Sequence, residues 1–104
     1  VRLKAMQGPH LVGFVLGDYR PSEETAWIAS IAVHPEHRGR GLGAALLQKC
    51  ESELTAPRVR LSVRISNENA IKLYKHSGYR VVSNWPKYYK GGEDALVMEK
   101  DLFR

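Results

Sequence analysis

Arg38, Gly39, Arg40, Gly41 and Gly43 stand together just before an amphipathic run, in the stretch IAVHPEHRGRGLGAALLQKC over residues 31–50. The first turn of a helix leaves backbone N–H groups without partners and carries the positive end of the helix dipole. Glycines there permit positive φ and let the backbone approach an anion closely. Arginines add charge and a planar fork that fits phosphate oxygens. The chemistry this arrangement suits is the holding of a pyrophosphate over residues 38–44. The plain alternative is a glycine-rich turn with solvated arginines. A Walker A loop is excluded, because no Gly-Lys-Ser/Thr follows. "GRGLGA" does meet the loose dinucleotide pattern G-x-G-x-x-G/A. Such a loop closes the first strand of a βαβ unit, however, and this one follows a third, hairpin-linked strand. The carboxylate expected about 20 residues further on is also missing. Arg58, Arg60 and Arg64 occupy that region instead.

The 104-residue chain has room for one small domain and one core. Lys and Arg number 16 against 11 Asp and Glu, for a net charge of +5. That balance suits acidic or phosphate-bearing partners. The charges are dense only at residues 38–40, which points away from nucleic acid. The single cysteine, Cys50, excludes an internal disulfide and fits a reducing, cytoplasmic setting. No apolar run approaches the roughly 18 residues that span a membrane, and no signal-peptide pattern opens the chain. His34 and His37 share a turn with no cluster of further ligands, so no metal is expected. The chain begins at Val1 without Met and reads as a fragment or a processed product.

These residues need elements to position them. "VRLKAM" (1–6), "LVGFVLGDYR" (11–20) and "TAWIASIAV" (25–33) read as strands joined by short turns, hence an antiparallel meander. Gly13 and Gly17 hint at bulges or close contacts. Over about 41–54 the period turns helical, with Leu42, Ala45, Leu46, Cys50 and Leu54 on one face, and Pro57 marks the stop. "VRLSVRI" (59–65) is a strand. Ser66 is placed to cap a helix over about 67–77 that shows Ala70, Leu73 and Tyr74 on one face and ends at Gly78. "YRVVSNW" (79–85) and "ALVMEKDL" (95–102) are the last strands, around the loop "PKYYKGGED". The order β-β-β-α-β-α-β-β makes a mixed α/β fold rather than a pure doubly wound sheet.

"IAVHPEHRGRGLGAALL" resembles the acetyl-CoA signature of the GNAT superfamily of N-acetyltransferases, R/Q-x-x-G-x-G/A, with Arg38, Gly41 and Gly43 on its defined positions. "VRISNENAIKLYKHSGYRVV" is similar to the family's second motif. "KYYKGGEDALVMEKDL" resembles the C-terminal end of the branch that acetylates protein N-termini, including the ribosomal-protein alanine acetyltransferases. The resemblance covers nearly the whole chain from about residue 11. It implies a GNAT fold: a mostly antiparallel mixed sheet with splayed central strands, here lacking the usual N-terminal strand and helices. It also implies acetyl-CoA as the cofactor.

The resemblance assigns roles residue by residue. The backbone of Ile31, Ala32 and Val33 would pair with the pantetheine arm, unless these form an ordinary core strand only. Arg38, Gly39, Arg40, Gly41, Leu42, Gly43 and Ala44 would form the pyrophosphate loop. Asn67 would contact the cofactor; helix capping is its other reading. Tyr74 would be the general acid that protonates the departing thiolate, a contribution of about 10²–10⁴-fold; half-buried packing is its plainer role. Tyr88 and Tyr89 would lie over the acceptor peptide. Trp85 would wall that site or enter the core. Trp27 is expected in the core, and Cys50 as a buried helix residue. The general base is where the match breaks. The family's Glu or His position holds Ser62, and His34, Glu93 and Glu99 are candidates without a decisive claim.

The helices absent from the start normally wall the acceptor groove. The apolar sheet they would leave exposed favours a homodimer. The expected activity is therefore transfer of acetyl from acetyl-CoA to an amine, a protein or peptide α-amine first. The rivals are a small-molecule amine such as a polyamine or antibiotic, and a silent CoA-binding module. A nucleotide-binding regulator would show NAD(P) competing with CoA.

Overall fold

A computed structural model describes residues 1–20, 24–39 and 41–102. The elements are β1 (Arg2–Gln7), β2 (His10–Arg20), β3 (Thr25–Val33), α1 (Leu42–Glu53), β4 (Arg58–Arg64), α2 (Glu68–His76), β5 (Arg80–Trp85) and β6 (Ala95–Asp101), with a short 3₁₀ turn over Pro35–His37. The strands form one sheet in the order β1-β2-β3-β4-β6-β5. β1, β2 and β3 make the expected antiparallel meander. β4 joins β3 in parallel and β6 antiparallel, and β5 pairs antiparallel with β6 at the edge.

The ladder between β3 and β4 is short. It consists of Thr25↔Arg58, Ala26↔Val59 and Trp27↔Arg60. Beyond those pairs the two strands part, as the resemblance led one to expect. A bulge accompanies the parting. Gly17 pairs with Ile28 and Leu16 with Ser30, so Ala29 is the extra residue. A bulge bends its strand and resets the alternation of side chains. Ile28 is buried in the core, and Ile31 and Val33 both pack against it. Strict period-two alternation would have put Ile31 and Val33 on the opposite face from Ile28.

α1 lies against this sheet. Its buried residues are Leu46, Leu47 and Cys50, and Leu54 follows them into the core. The expected face is corrected at one point: Ala45 is exposed and Leu47 is fully buried. Close approach of α1 to β2 is what Gly13 and Gly17 allow. A Cβ at Gly17 would lie 2.9 Å from Cys50 Sγ, and one at Gly13 would lie 3.0 Å from Leu46 Cδ1. α2 meets α1 at Gly43, where a Cβ would sit 3.2 Å from Leu73 Cδ2.

A polar bridge ties α1 to the far strands. The Tyr79 hydroxyl donates to Glu51 Oε2 at 2.7 Å, and Lys100 Nζ donates to Glu51 Oε1 at 2.7 Å. A nearly buried carboxylate is stable only with such partners. Burial, and next the bond to Glu51, push the Tyr79 hydroxyl far above its usual range. The unfolded chain releases that proton near pH 10, while the folded chain keeps it. Stability from this group is therefore complete below about pH 10 and is lost as pH rises further. We expect Tyr79→Phe to lower stability at pH 7 by about 1.5–3 kcal/mol, the loss of a bond to a charged acceptor. We also expect it to reduce the decline between pH 9 and pH 11. Urea denaturation across that range checks both, and equal alkaline slopes in the two proteins would refute the assignment.

Candidate active site

Where β3 and β4 part, the sheet opens into a cleft of about 420 Å³. Ile28, Ala29, Ser30 and Ile31 line one side and Leu61, Ser62, Val63 and Arg64 the other. Asn67 and Tyr74 from the α2 region and Tyr88 and Tyr89 from the β5–β6 loop complete the lining. Of the residues expected at the cofactor, Ile31 lines the cleft. Ala32 and Val33 continue β3 past the last pair with β4, Ala32 exposed and Val33 packed against the core.

The glycine loop follows β3 directly. Gly39 and Gly41 have φ of 77° and 78°, and a Cβ on either would meet open space. Both are thus glycine for backbone conformation. Gly43 is glycine for another reason, the close packing on Leu73. Gly41 is the N-cap of α1 and supplies no side-chain cap. The amides of Leu42, Gly43 and Ala44 therefore begin the helix without intrahelical partners, at the end where the dipole is positive. Arg38 Nε donates to the Val33 carbonyl at 3.0 Å, which holds its guanidinium at the end of β3. Arg40 lies outside the described residues.

Tyr74 reaches the cleft from α2 and is 7% exposed. Burial, and after it the neighbouring Tyr89, raise its hydroxyl above the ordinary tyrosine range. Asn67 is the N-cap of α2, its Oδ1 accepting from Ala70 N at 3.2 Å. This corrects the expectation that Ser66 caps the helix. The Ser66 amide instead donates to Glu93 at 2.9 Å. Ser62 lies across the cleft, where the Tyr89 hydroxyl approaches its Oγ at 3.4 Å. The Arg64 guanidinium sits 4.3 Å over the Tyr89 ring and bonds to Glu93 at 3.2 Å.

The three candidate bases are placed elsewhere. Glu93 is occupied by Ser66 and Arg64, and its hydrogen bonds, that from Ser66 foremost, hold its carboxyl below the usual range. Glu99 is buried and accepts from Arg60 Nε at 2.7 Å and Arg80 Nη2 at 2.8 Å. His34 caps the 3₁₀ turn, its Nδ1 accepting from Glu36 N at 3.2 Å. Among the described residues that line the cleft there is no carboxylate and no imidazole. No group of three or more His, Cys, Asp or Glu side chains suited to a metal occurs among the described residues, and none of their helices is long and apolar enough to cross a membrane.

A second cavity of about 380 Å³ adjoins the first, lined by Asp18, Trp27, Ile28, Ala29, Ser62, Trp85 and Tyr88. Here the expectation for Trp27 is corrected. It lies outside the core cluster and stacks on Trp85, with ring centroids 5.8 Å apart. Its place follows from register: Trp27 pairs with Arg60, on the strand face opposite Ile28 and Leu61. Trp85 continues to Tyr88 at 5.1 Å, and Tyr88 to Tyr89 at 5.1 Å. Asp18 was not singled out from the sequence. Its pairing with Trp27 across β2 and β3 places it here, and only the hairpin register could have signalled it.

Comparison with known proteins agrees with this geometry. The acetyltransferase (GNAT) family profile matches residues 2–79. An N-alpha-acetyltransferase of Sulfurisphaera tokodaii is 44% identical over 79 residues, which cover 72% of this chain and 47% of that protein. The crystal structure of the ribosomal-protein-S18-alanine N-acetyltransferase from Escherichia coli matches with a TM-score of 0.88 at 29% identity, covering 100% of this chain and 70% of that one. Nourseothricin acetyltransferase matches with a TM-score of 0.83 at 31% identity, over 88% of this chain and 58% of that one. The chain spans about half the length of the curated relatives it matches, from 47% to 59% for three of them. The split sheet, the glycine loop at the start of α1 and the match over residues 2–79 agree, and the chain belongs to the acetyltransferase (GNAT) family.

Proposed function

We propose that this domain transfers the acetyl group of acetyl-coenzyme A to an amine, and that the amine is the N-terminus of a protein or peptide. The observation that carries the reading is the opening between β3 and β4, with Tyr74 inside it and the glycine loop at the end of β3. The fit to the cofactor rests on the chain itself. Gly39 and Gly41 leave open space at the loop, and α1 begins there without a side-chain cap. In this reading residues 38–44 hold the pyrophosphate. Ile31, Ala32 and Val33 offer the pantetheine arm a strand edge that β4 has left. When bound, acetyl-coenzyme A supplies a thioester whose carbonyl carbon the amine attacks, breaking the C–S bond.

Tyr74 is protonated at neutral pH, and its raised hydroxyl pKa keeps it so. It serves as the acid that gives its proton to the leaving sulfur. Asn67 sets the start of α2 and with it the position of Tyr74, about two turns further on. The amine must lose a proton, and no carboxylate or imidazole lines the cleft around Tyr74 among the described residues. The hydroxyls of Ser62 and Tyr89 provide a path to water. Tyr88 and Tyr89 form the acceptor's wall, which suits a peptide with an apolar side chain and a backbone to bond. The similarity to N-alpha-acetyltransferases favours a peptide acceptor, and that to nourseothricin acetyltransferase keeps a small-molecule amine as the second reading.

Thiol release from acetyl-coenzyme A with N-terminal peptides, polyamines and aminoglycoside-type amines separates the two readings. Binding of coenzyme A without turnover on any of them would refute both and leave a silent module. We expect Tyr74→Phe to lower kcat by about 10²-fold or more, with the KM for acetyl-coenzyme A little changed. A kcat within twofold of wild type would remove Tyr74 as the acid. With no carboxylate or imidazole among the described residues that line the cleft, the log of kcat/KM should climb with unit slope until the acceptor's own ammonium titrates, near pH 8 for an α-amine. A plateau starting near pH 6 would instead reveal a base on the protein.

A further inference from the structure

We infer that Glu93 and Arg64 are positioning residues for the acceptor, and that together they clamp the Tyr89 ring against β4 at the mouth of the cleft that holds Tyr74. The inference rests on the acetyltransferase reading of that cleft and adds what sets its acceptor wall.

The β5–β6 loop carries two neighbouring carboxylates that reach different ways. Asp94 closes the loop on itself, accepting from the Lys87 amide at 3.0 Å and from Asn84 Nδ2 at 3.3 Å. Glu93 crosses to the junction of β4 and α2. Its Oε1 accepts from the Ser66 amide at 2.9 Å, and its Oε2 accepts from Arg64 Nη1 at 3.2 Å. Its own carbonyl accepts from the Tyr89 amide at 3.1 Å, across a turn in which Gly91 and Gly92 both have positive φ. The Arg64 guanidinium then lies 4.3 Å over the Tyr89 ring. Three contacts thus close a circuit: Tyr89 backbone to Glu93, Glu93 to Arg64, and Arg64 back to the Tyr89 ring.

β4 supplies the platform. Val59, Leu61 and Val63 are buried on one face, which leaves Ser62 and Arg64 as neighbours on the other. Tyr89 spans these two, its hydroxyl approaching Ser62 Oγ at 3.4 Å while its ring lies against Arg64. Tyr88 stands edge-on to Tyr89 at 5.1 Å, so a fixed Tyr89 also backs Tyr88. A planar guanidinium can stack on a ring and bond a carboxylate at once, whereas an ammonium offers no such plane. An ion pair whose side chains are 45% and 27% exposed contributes little to stability. What it supplies is the placement of Tyr89.

The test compares wild type, Glu93→Gln, Arg64→Lys and the double variant on a short peptide with a free N-terminal alanine. Steady-state thiol release gives kcat and KM. Peptide binding is read without turnover by tryptophan fluorescence, because Trp85 meets Tyr89 through Tyr88. We expect each single variant to raise the peptide's KM and dissociation constant about tenfold, the scale of one coupled interaction within a network. Both kcat and the KM for acetyl-coenzyme A should change little. The double variant should be no worse than the worse single one, because either change opens the same circuit. In a Tyr89→Ala background, Glu93→Gln should add nothing further. Hydrogen exchange should quicken at the Ser66 and Tyr89 amides of Glu93→Gln with the urea midpoint little moved. Unchanged peptide binding in both single variants would overturn the clamp. So would a fall in kcat at constant peptide KM, since the effect would then run through Ser66 to α2. Losses that multiply in the double variant, or that persist without Tyr89, would overturn it as well. Should Glu93→Gln fail to fold, Arg64→Lys carries the same comparison. Weakened peptide binding in the variants of an enzyme that acetylates no amine would uphold the clamp and refute the transferase reading. Turnover of other amines with no binding of the peptide would overturn the clamp and leave the transfer reading standing.

Discussion

The parallel ladder between β3 and β4 runs for three pairs and stops, and the site depends on where it stops. Backbone N–H and C=O groups facing a gap inside a sheet are costly unless something satisfies them. The gap here persists because each strand is held from its other side. β4 pairs with β6 along all of Arg58–Arg64, and β3 pairs with β2 as far as Val33. The extra residue at Ala29 bends β3 away while returning Ile31 and Val33 to the core. The core therefore stays packed beneath an opening that would otherwise break it. The two strand edges left free are aligned, half-solvated and chemically equivalent to the edge of a sheet awaiting a further strand.

The helices frame that opening. α1 is pinned by Leu46, Leu47 and Cys50 and by the Glu51 bridge to Tyr79 and Lys100. Its N-terminus thus points at the end of β3 with little freedom. α2 is short, and its cap at Asn67 and its exit at Gly78 determine where Tyr74 falls. Tyr74 and Tyr79 lie 6.0 Å apart, so the proton-holding hydroxyl in the cleft and the structural one under α1 share a buried aromatic layer. On the face of β4 that carries Ser62 the aromatic series takes the place of helices. It runs through Tyr88, which is largely exposed, to Tyr89.

Much of this was legible because it is periodic or local. Apolar runs bounded by turn signals found the strands, the spacing of Leu42, Leu46, Cys50 and Leu54 found α1, and the demands of tight turns found Gly39, Gly41 and Gly78. What escaped was set by register. The bulge at Ala29 leaves no mark of its own in TAWIASIAV, and it decides which side chains face inward. Trp27 reads as core by size and neighbours, yet its pairing with Arg60 turns it to the other face. Asp18 depends on the same register twice over. Ser66 and Asn67 are equally good caps by residue type; the bond from the Ser66 amide to Glu93 and that from the Ala70 amide to Asn67 separate them. Ser62, where the resemblance leads one to expect Glu or His, was legible from the start, since residue identity needs no fold to be read.

Gly43 joins the two halves of the site. Its absent side chain makes room for Leu73, the residue before Tyr74. The loop at the head of α1 and the hydroxyl on α2 are therefore set at a fixed separation by one contact, much as a caliper is set by its screw. A ligand long enough to touch both is measured along its length before any chemistry occurs. Shorter or longer phosphate-bearing thioesters would meet the same loop and miss the same oxygen. Selection on the length of the donor would then act on a residue that touches neither the phosphate nor the sulfur.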